Sequence, residues 1–239
     1  MNEPVRLNKY LSAVGVCSRR EADRFIDEGR ILVNGRFPEK GQKVTDADEI
    51  LIDNKSIKTE SRKVVLACYK KRGIICSTKD QGRVGENIVD TIGYPIRVYP
   101  VGRLDKDSEG LILLTNDGEL VNGLLKSKYG HEKEYEVVCD KPLNDRDLKE
   151  MAKGGLTLIE GDERRSKPCR IRRLSDNSFN CILTEGMNRQ IRRMCAHFGY
   201  EVKSLKRIRF MNITLEGLAM GEWRELSEEE IQGLRTDGR

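Results

Sequence analysis

Leu111 to Leu114 form an unbroken aliphatic run between a charged stretch, Arg103 to Gly110, and the turn-forming Asn116-Asp117-Gly118. That pattern predicts a short buried strand with a dense polar loop at one end and a turn or helix cap at the other. Towards the N-terminus, Val5, Leu7, Tyr10, Leu11 and Val14 recur at helical spacing and stop at Gly15. Ser18 then stands three residues before Glu21, the spacing of a capping box, ahead of a second helical stripe of Ala22, Phe25 and Ile26 that ends at Gly29. Ile31 to Val33 and Glu49 to Ile52 read as strands, with Asn34-Gly35 as a tight hairpin turn. Residues 53–63 are poor in apolar residues and read as a linker between a module over 1–60 and a larger domain over 64–239.

In the larger domain, Val64 to Tyr69 predicts a strand that resumes at Gly73 to Cys76 after the basic turn Lys70-Lys71-Arg72. A short helical stretch is expected within 85–93, a helix from Asp117 to Leu125 and a turn from Ser127 to Gly130. Tyr135 and Val137 alternate with Glu134 and Glu136, the period of a half-buried strand. Asn144 is placed to cap a helix over 143–152, and strands follow at 169–174 and 179–184. Ile191, Met194, Cys195 and Phe198 form the inner face of a helix with Asn188 as its expected cap. Ser227 and Glu230 repeat the capping-box spacing before a final helix. Strands mixed with helices in this order predict an α+β chain with a mixed, mostly antiparallel sheet.

Charge sharpens this picture locally rather than globally. Lys plus Arg number 44 and Asp plus Glu 39, so the net charge is only +5 over 239 residues. Residues 186–209, however, hold seven bases and one acid, which suggests a phosphate-facing surface. Arg6, Lys9, Arg19, Arg20 and Arg24 gather on the first two predicted helices, where ordinary surface charge is the simpler account. The seven cysteines are scattered, odd in number and without a Cys-x-x-Cys pair, as expected of reduced core thiols in a cytoplasmic protein. His131 and His197 lack partners at ligand spacing, so no metal site is expected. No membrane span or leader is expected either.

From the residues alone, the loop around Asp105 reads first as a solvated hairpin, although a polar loop anchored by a buried strand is also where a catalytic carboxylate sits well. Tyr135 reads first as a core tyrosine. Arg189, Arg192 and Arg193 crowd the start of a helix against its dipole, which implies either solvent or an anion in front of them.

GRLDKDSEGLILLTNDGEL, residues 102–120, resembles the central motif of the pseudouridine synthases, in the branch that modifies ribosomal RNA and carries a small N-terminal RNA-binding module. RLNKYLSAVGVCSRREADRFIDEGRILVNG resembles that S4-like module. The resemblance implies a bent mixed sheet with the active site in a cleft across its middle. It makes Asp105, in the Arg-Leu-Asp triplet, the catalytic residue. Lys-x-Tyr supplies the active-site Tyr135 with Lys133 beside it, and the Gln-hydrophobic-Arg triplet supplies Arg192 as the partner of Asp105. Arg103 would fill the space of a flipped base or touch a phosphate. Arg6, Lys9, Ser18, Arg19, Arg20, Lys133, Arg189 and Arg193 are the implied RNA contacts. The usual Lys-Pro-x-Gly turn is Lys70-Lys71-Arg72-Gly73 here, without its proline. The implied reaction is isomerisation of uridine to pseudouridine in a stem-loop of ribosomal RNA by a monomer. It involves no redox change and no group donor, so no cofactor is expected. KDSEGL, HEKEY and MNRQIRRMCAHFGYEVKSLKRIR point to large-subunit RNA. Small-subunit or transfer RNA, or a non-catalytic role in ribosome assembly, remain the alternatives.

Overall fold

The computed structural model describes residues 3–57, 62–77, 86–125, 130–161 and 163–236. The chain forms two compact units. The first comprises residues 1–64 with 94–98 and 115–118, and the second 65–93, 99–114 and 119–239.

The first unit contains β1 (Val5–Arg6), α1 (Leu7–Ala13), α2 (Arg19–Asp27), β2 (Ile31–Val33), β3 (Lys43–Val44), β4 (Ile50–Ile52) and β5 (Lys55–Ser56). Leu7, Tyr10, Leu11, Ala22, Ile31 and Ile50 close its core. The helical period that begins at Val5 is overridden at its start, because Val5 and Arg6 pair antiparallel with Val44 and Lys43. Ser18 and Glu21 do form a reciprocal capping box at the head of α2. Asn34 and Gly35, at φ 50° and 75°, make the left-handed turn that Asn-Gly favours. The expected linker begins later than residue 53, since β5 pairs with β4; residues 58–61 of it lie outside the described residues.

The second unit carries all or nearly all of β6 (Val65–Lys70), α3 (Ile88–Ile92), β7 (Tyr99–Pro100), β8 (Glu109–Thr115), α4 (Gly118–Leu125), β9 (Lys133–Cys139), α5 (Asp145–Lys153), β10 (Arg170–Ser175), β11 (Ser178–Leu183), α6 (Gln190–His197), β12 (Val202–Phe210), β13 (Ile213–Thr214), β14 (Trp223–Glu225) and α7 (Glu228–Thr236). Its sheet runs β10-β11-β9-β12-β8-β6-β14, with β13 on β12 and β7 on β8. The β10/β11, β11/β9, β9/β12 and β6/β14 pairs are antiparallel, whereas β12 and β8 run parallel, so the expected mixed sheet is found. Leu111, Leu113, Leu120, Leu124, Phe210 and Ile213 pack into one core.

Three local expectations are corrected. Residues 73–76 do not continue the strand; Ile75 makes only an isolated bridge to Asn87. The helical stretch shortens to α3, and residue 85 and most of the 127–130 turn lie outside the described residues. Asn188 does not cap α6, because Arg189 occupies the cap position at φ 51° without a side-chain cap bond. Among the described residues, no helix is long and apolar enough to cross a membrane.

Candidate active site

The polar loop between β7 and β8 is fixed from below by Lys70, at the end of β6. Lys70 is wholly buried, 0% exposed. Its ammonium donates to the carbonyls of Ser108 at 2.6 Å, Asp105 at 3.1 Å and Lys71 at 3.1 Å, which uses all three of its donors. Burial lowers its pKa, opposed by the nearby acids. The N–H of Leu104 donates to Cys76 Sγ at 3.3 Å, and Ser108 N–H closes the turn on Asp105 O at 3.1 Å. A Lys70→Met variant keeps the stem and loses all three bonds. It is expected to lower stability by about 2–3 kcal/mol, the scale for unsatisfied buried carbonyls and lost charge-assisted bonds. Thermal melting beside single-turnover kinetics checks this, with the rate falling at least about tenfold as the loop loosens.

Arginines of the β11–α6 segment hold the same loop from the side. Arg189 forms a two-pronged bond to Asp107 at 3.0 and 2.8 Å. Its backbone is left-handed, at φ 51°, in the cap position of α6. The Arg189 guanidinium, with the Arg192 charge behind it, lowers the pKa of Asp107. This clasp is fully formed above the usual carboxylate range and is lost as pH falls through the depressed value of Asp107.

Arg192 donates to Val202 O and Asp107 O, both at 3.0 Å, and reaches Ser108 Oγ at 3.4 Å. Its Nε lies 3.4 Å from Asp107 Oδ2, close enough for an ion pair but without hydrogen-bond geometry. The expected Arg192–Asp105 pair is therefore corrected. The ionic neighbour of Asp105 is Arg189, at 3.8 Å, and Arg192 braces the loop through Asp107.

Asp105 itself is 32% exposed, and its carboxylate accepts no hydrogen bond from the described residues. It opens onto a cavity of about 350 Å³, within the usual span of small-ligand sites. Arg103, Lys133, Tyr135, Leu183, Ile191 and Arg207 are among the lining residues. β9 and β12 build its floor. Tyr135 is buried and lies directly opposite Arg207 across the strand pair, and Lys133, two residues before Tyr135, shares its face. The Lys133 ammonium donates to His131 O at 3.0 Å and stands 5.6 Å from the Phe210 ring centre. Burial, with the Arg207 charge next, lowers its pKa to about 8.

The other expected RNA contacts divide. Arg6, Arg19, Arg20 and Arg103 are exposed and Lys9 is half-buried. Ser18 accepts the Glu21 N–H at 3.1 Å, so its hydroxyl oxygen serves the helix cap. Arg193 is engaged within the protein, where it donates to Leu158 O and Asn188 O, both at 3.1 Å. Sequence reasoning missed Lys70, Asp107 and Arg207 as parts of the site. Only Asp107, two residues from Asp105 in a run of charges, carried a local signal.

A polar loop braced on two sides, carrying one open carboxylate above a buried tyrosine, agrees with the comparison to known sequences. The family model described as RNA pseudouridylate synthase matches residues 64–197, and the S4 domain matches residues 5–51. The chain belongs to the RNA pseudouridylate synthase family and carries an S4 domain at its N-terminus. It is 45% identical over 232 residues to the Dual-specificity RNA pseudouridine synthase RluF of Escherichia coli, covering 96% of this chain and 78% of that one. It is 38% identical over 240 residues to the Ribosomal large subunit pseudouridine synthase B of Bacillus subtilis, covering 97% and 96%. A solved pseudouridylate synthase superposes with a TM-score of 0.70 at 29% identity, over 96% of this chain and 99% of that one.

Proposed function

We propose that this chain isomerises a uridine in a stem-loop of large-subunit ribosomal RNA to pseudouridine, with Asp105 as the catalytic carboxylate. The observation that carries the proposal is the open Asp105 carboxylate sharing one cavity with the buried Tyr135. The reaction breaks the N1–C1′ bond, turns the uracil and joins its carbon 5 to the ribose. A single carboxylate serves as nucleophile or proton acceptor in such a sequence. Uracil reaches a cavity of this kind only by leaving its stack, and the exposed Arg103 at the cavity's edge is placed to take up the vacated space or a phosphate. Tyr135 packs against the flipped base and assists loss of the proton from carbon 5. The division of labour is an RNA-gripping module over 1–60, through Arg6, Lys9, Arg19 and Arg20, and a catalytic domain over 64–239. The protein works in the cytoplasm as a monomer.

Tritium release from carbon-5-labelled uridine in large-subunit RNA tests the activity, with small-subunit and transfer RNA as comparators. Release from the large-subunit transcript is the expected result, and none from any of the three RNAs would refute the isomerase reading. Tyr135→Phe is expected to slow single turnover by about 10²-fold or more, with RNA affinity within a few-fold of wild type. An unchanged rate would make the hydroxyl dispensable.

A further inference from the structure

Arg207 is 3% exposed, and one of its five donors is used inside the protein: Nε donates to Leu111 O at 2.7 Å. Among the described residues no carboxylate pairs with it. The guanidinium lies 5.7 Å from the Phe210 ring centre and lines the cavity directly opposite Tyr135. Lys133 contributes a second positive charge on the same face.

Among the described residues, no acid around the cavity is bonded to Arg207. Glu185 accepts from the Lys167 N–H and the Gln190 amide, both at 2.7 Å, and its charge acts on Lys133, while Asp107 is engaged by Arg189; neither pairs with Arg207. Asp105 accepts no hydrogen bond from the described residues, and its ionic neighbour is Arg189 rather than Arg207. Leaving a cation buried without a partner costs several kcal/mol. Bracing β8 to β12 does not require that cost, because a neutral amide donates to a carbonyl as well. The arrangement fits a ligand that is or becomes negative at base depth.

Building on the isomerase reading, we propose that Arg207, with Lys133, forms a cationic floor that binds the uracil oxygens and takes up the charge released on the base during the reaction. When the N1–C1′ bond breaks, its electron pair stays on N1 and spreads onto O2 and O4, giving a uracil anion. The floor holds that anion while it turns. Carbon 5 then bonds to C1′, the carbon-5 proton leaves and N1 regains a proton, so the product is an isomer of the substrate. Donors aimed at charge that develops only during reaction act mainly on the rate.

The test uses the full chain with Arg207→Gln and Arg207→Lys, each checked by thermal melting, on RNA carrying uridine, 2-thiouridine or 4-thiouridine at the target. Arg207→Gln is expected to slow single turnover by about 10²-fold, as for loss of one donor to a developing anion, with RNA affinity within about threefold. Arg207→Lys is expected to recover at least about tenfold of that loss, since the charge is kept. One of the two thio substitutions should slow wild type and have no further effect on Arg207→Gln. A thio effect of the same size in both proteins would make Arg207 a brace and overturn the floor. So would a phosphorothioate 5′ to the target that shows the coupling instead. Equal rates in wild type and Arg207→Gln would overturn the floor alone, whereas no turnover by wild type would overturn the isomerase reading beneath it.

Discussion

Replacing Asp105 by asparagine is expected to abolish pseudouridine formation, by about 10⁴-fold or more, the scale on which enzymes lose rate with a central catalytic group. RNA affinity and melting temperature should stay close to wild type. The side chains have the same shape, and the bonds from Lys70 and Ser108 to residue 105 go to its backbone carbonyl, which the substitution leaves in place. Asp107 cannot substitute for the lost carboxylate, because Arg189 engages both of its oxygens. Tritium release under single-turnover conditions, measured beside an RNA-binding isotherm, separates chemistry from grip. Turnover within tenfold of wild type would remove Asp105 from its proposed role.

Gly110→Ala is expected to damage the fold itself. Gly110 is the second residue of β8, where that strand runs parallel to β12, opposite Arg207. A Cβ there would lie 2.3 Å from the Arg207 carbonyl oxygen and 2.6 Å from its nitrogen. Both are backbone atoms of a central strand, so neither can swing away. The residue also sits at φ 106°, where side chains with a Cβ are strained. Overpacking and strain together are expected to cost about 3–5 kcal/mol. For a chain of this size that is a drop in melting temperature of roughly 10 °C. The same shift would part the Asp105 loop, carried by β8, from Arg207 on β12, so activity should fall further than stability alone requires. A variant that melts within 2 °C of wild type, about 1 kcal/mol or less, would contradict this close approach.

The features legible from residue order are those whose causes are local. The caps at Ser18, Asn144 and Ser227 form where their spacing places them, because a cap needs only its own first turn. The apolar run 111–114 and the alternation around Tyr135 become strands for the same reason. Val5 and Arg6 follow a helical period and yet pair as a strand with residues 43–44, because the partner that decides their state is distant in sequence. The parallel β8/β12 pair unites positions nearly a hundred residues apart, and with it came the unforeseen place of Arg207 on the cavity floor. The Arg-Leu-Asp triplet stood out by resemblance, and its loop lies at the cavity. The partner of each arginine was not legible, because it depends on where the start of α6 meets a loop 82 positions earlier in the sequence.

Asp107 gains a meaning from this geometry. It acts as a decoy for the arginines that crowd the loop, absorbing their hydrogen bonds so that none is spent on its neighbour two residues earlier. On the proposed assignment this leaves the Asp105 oxygens open to sugar and base, with the positive charge of Arg189 3.8 Å away to steer an approaching polyanion.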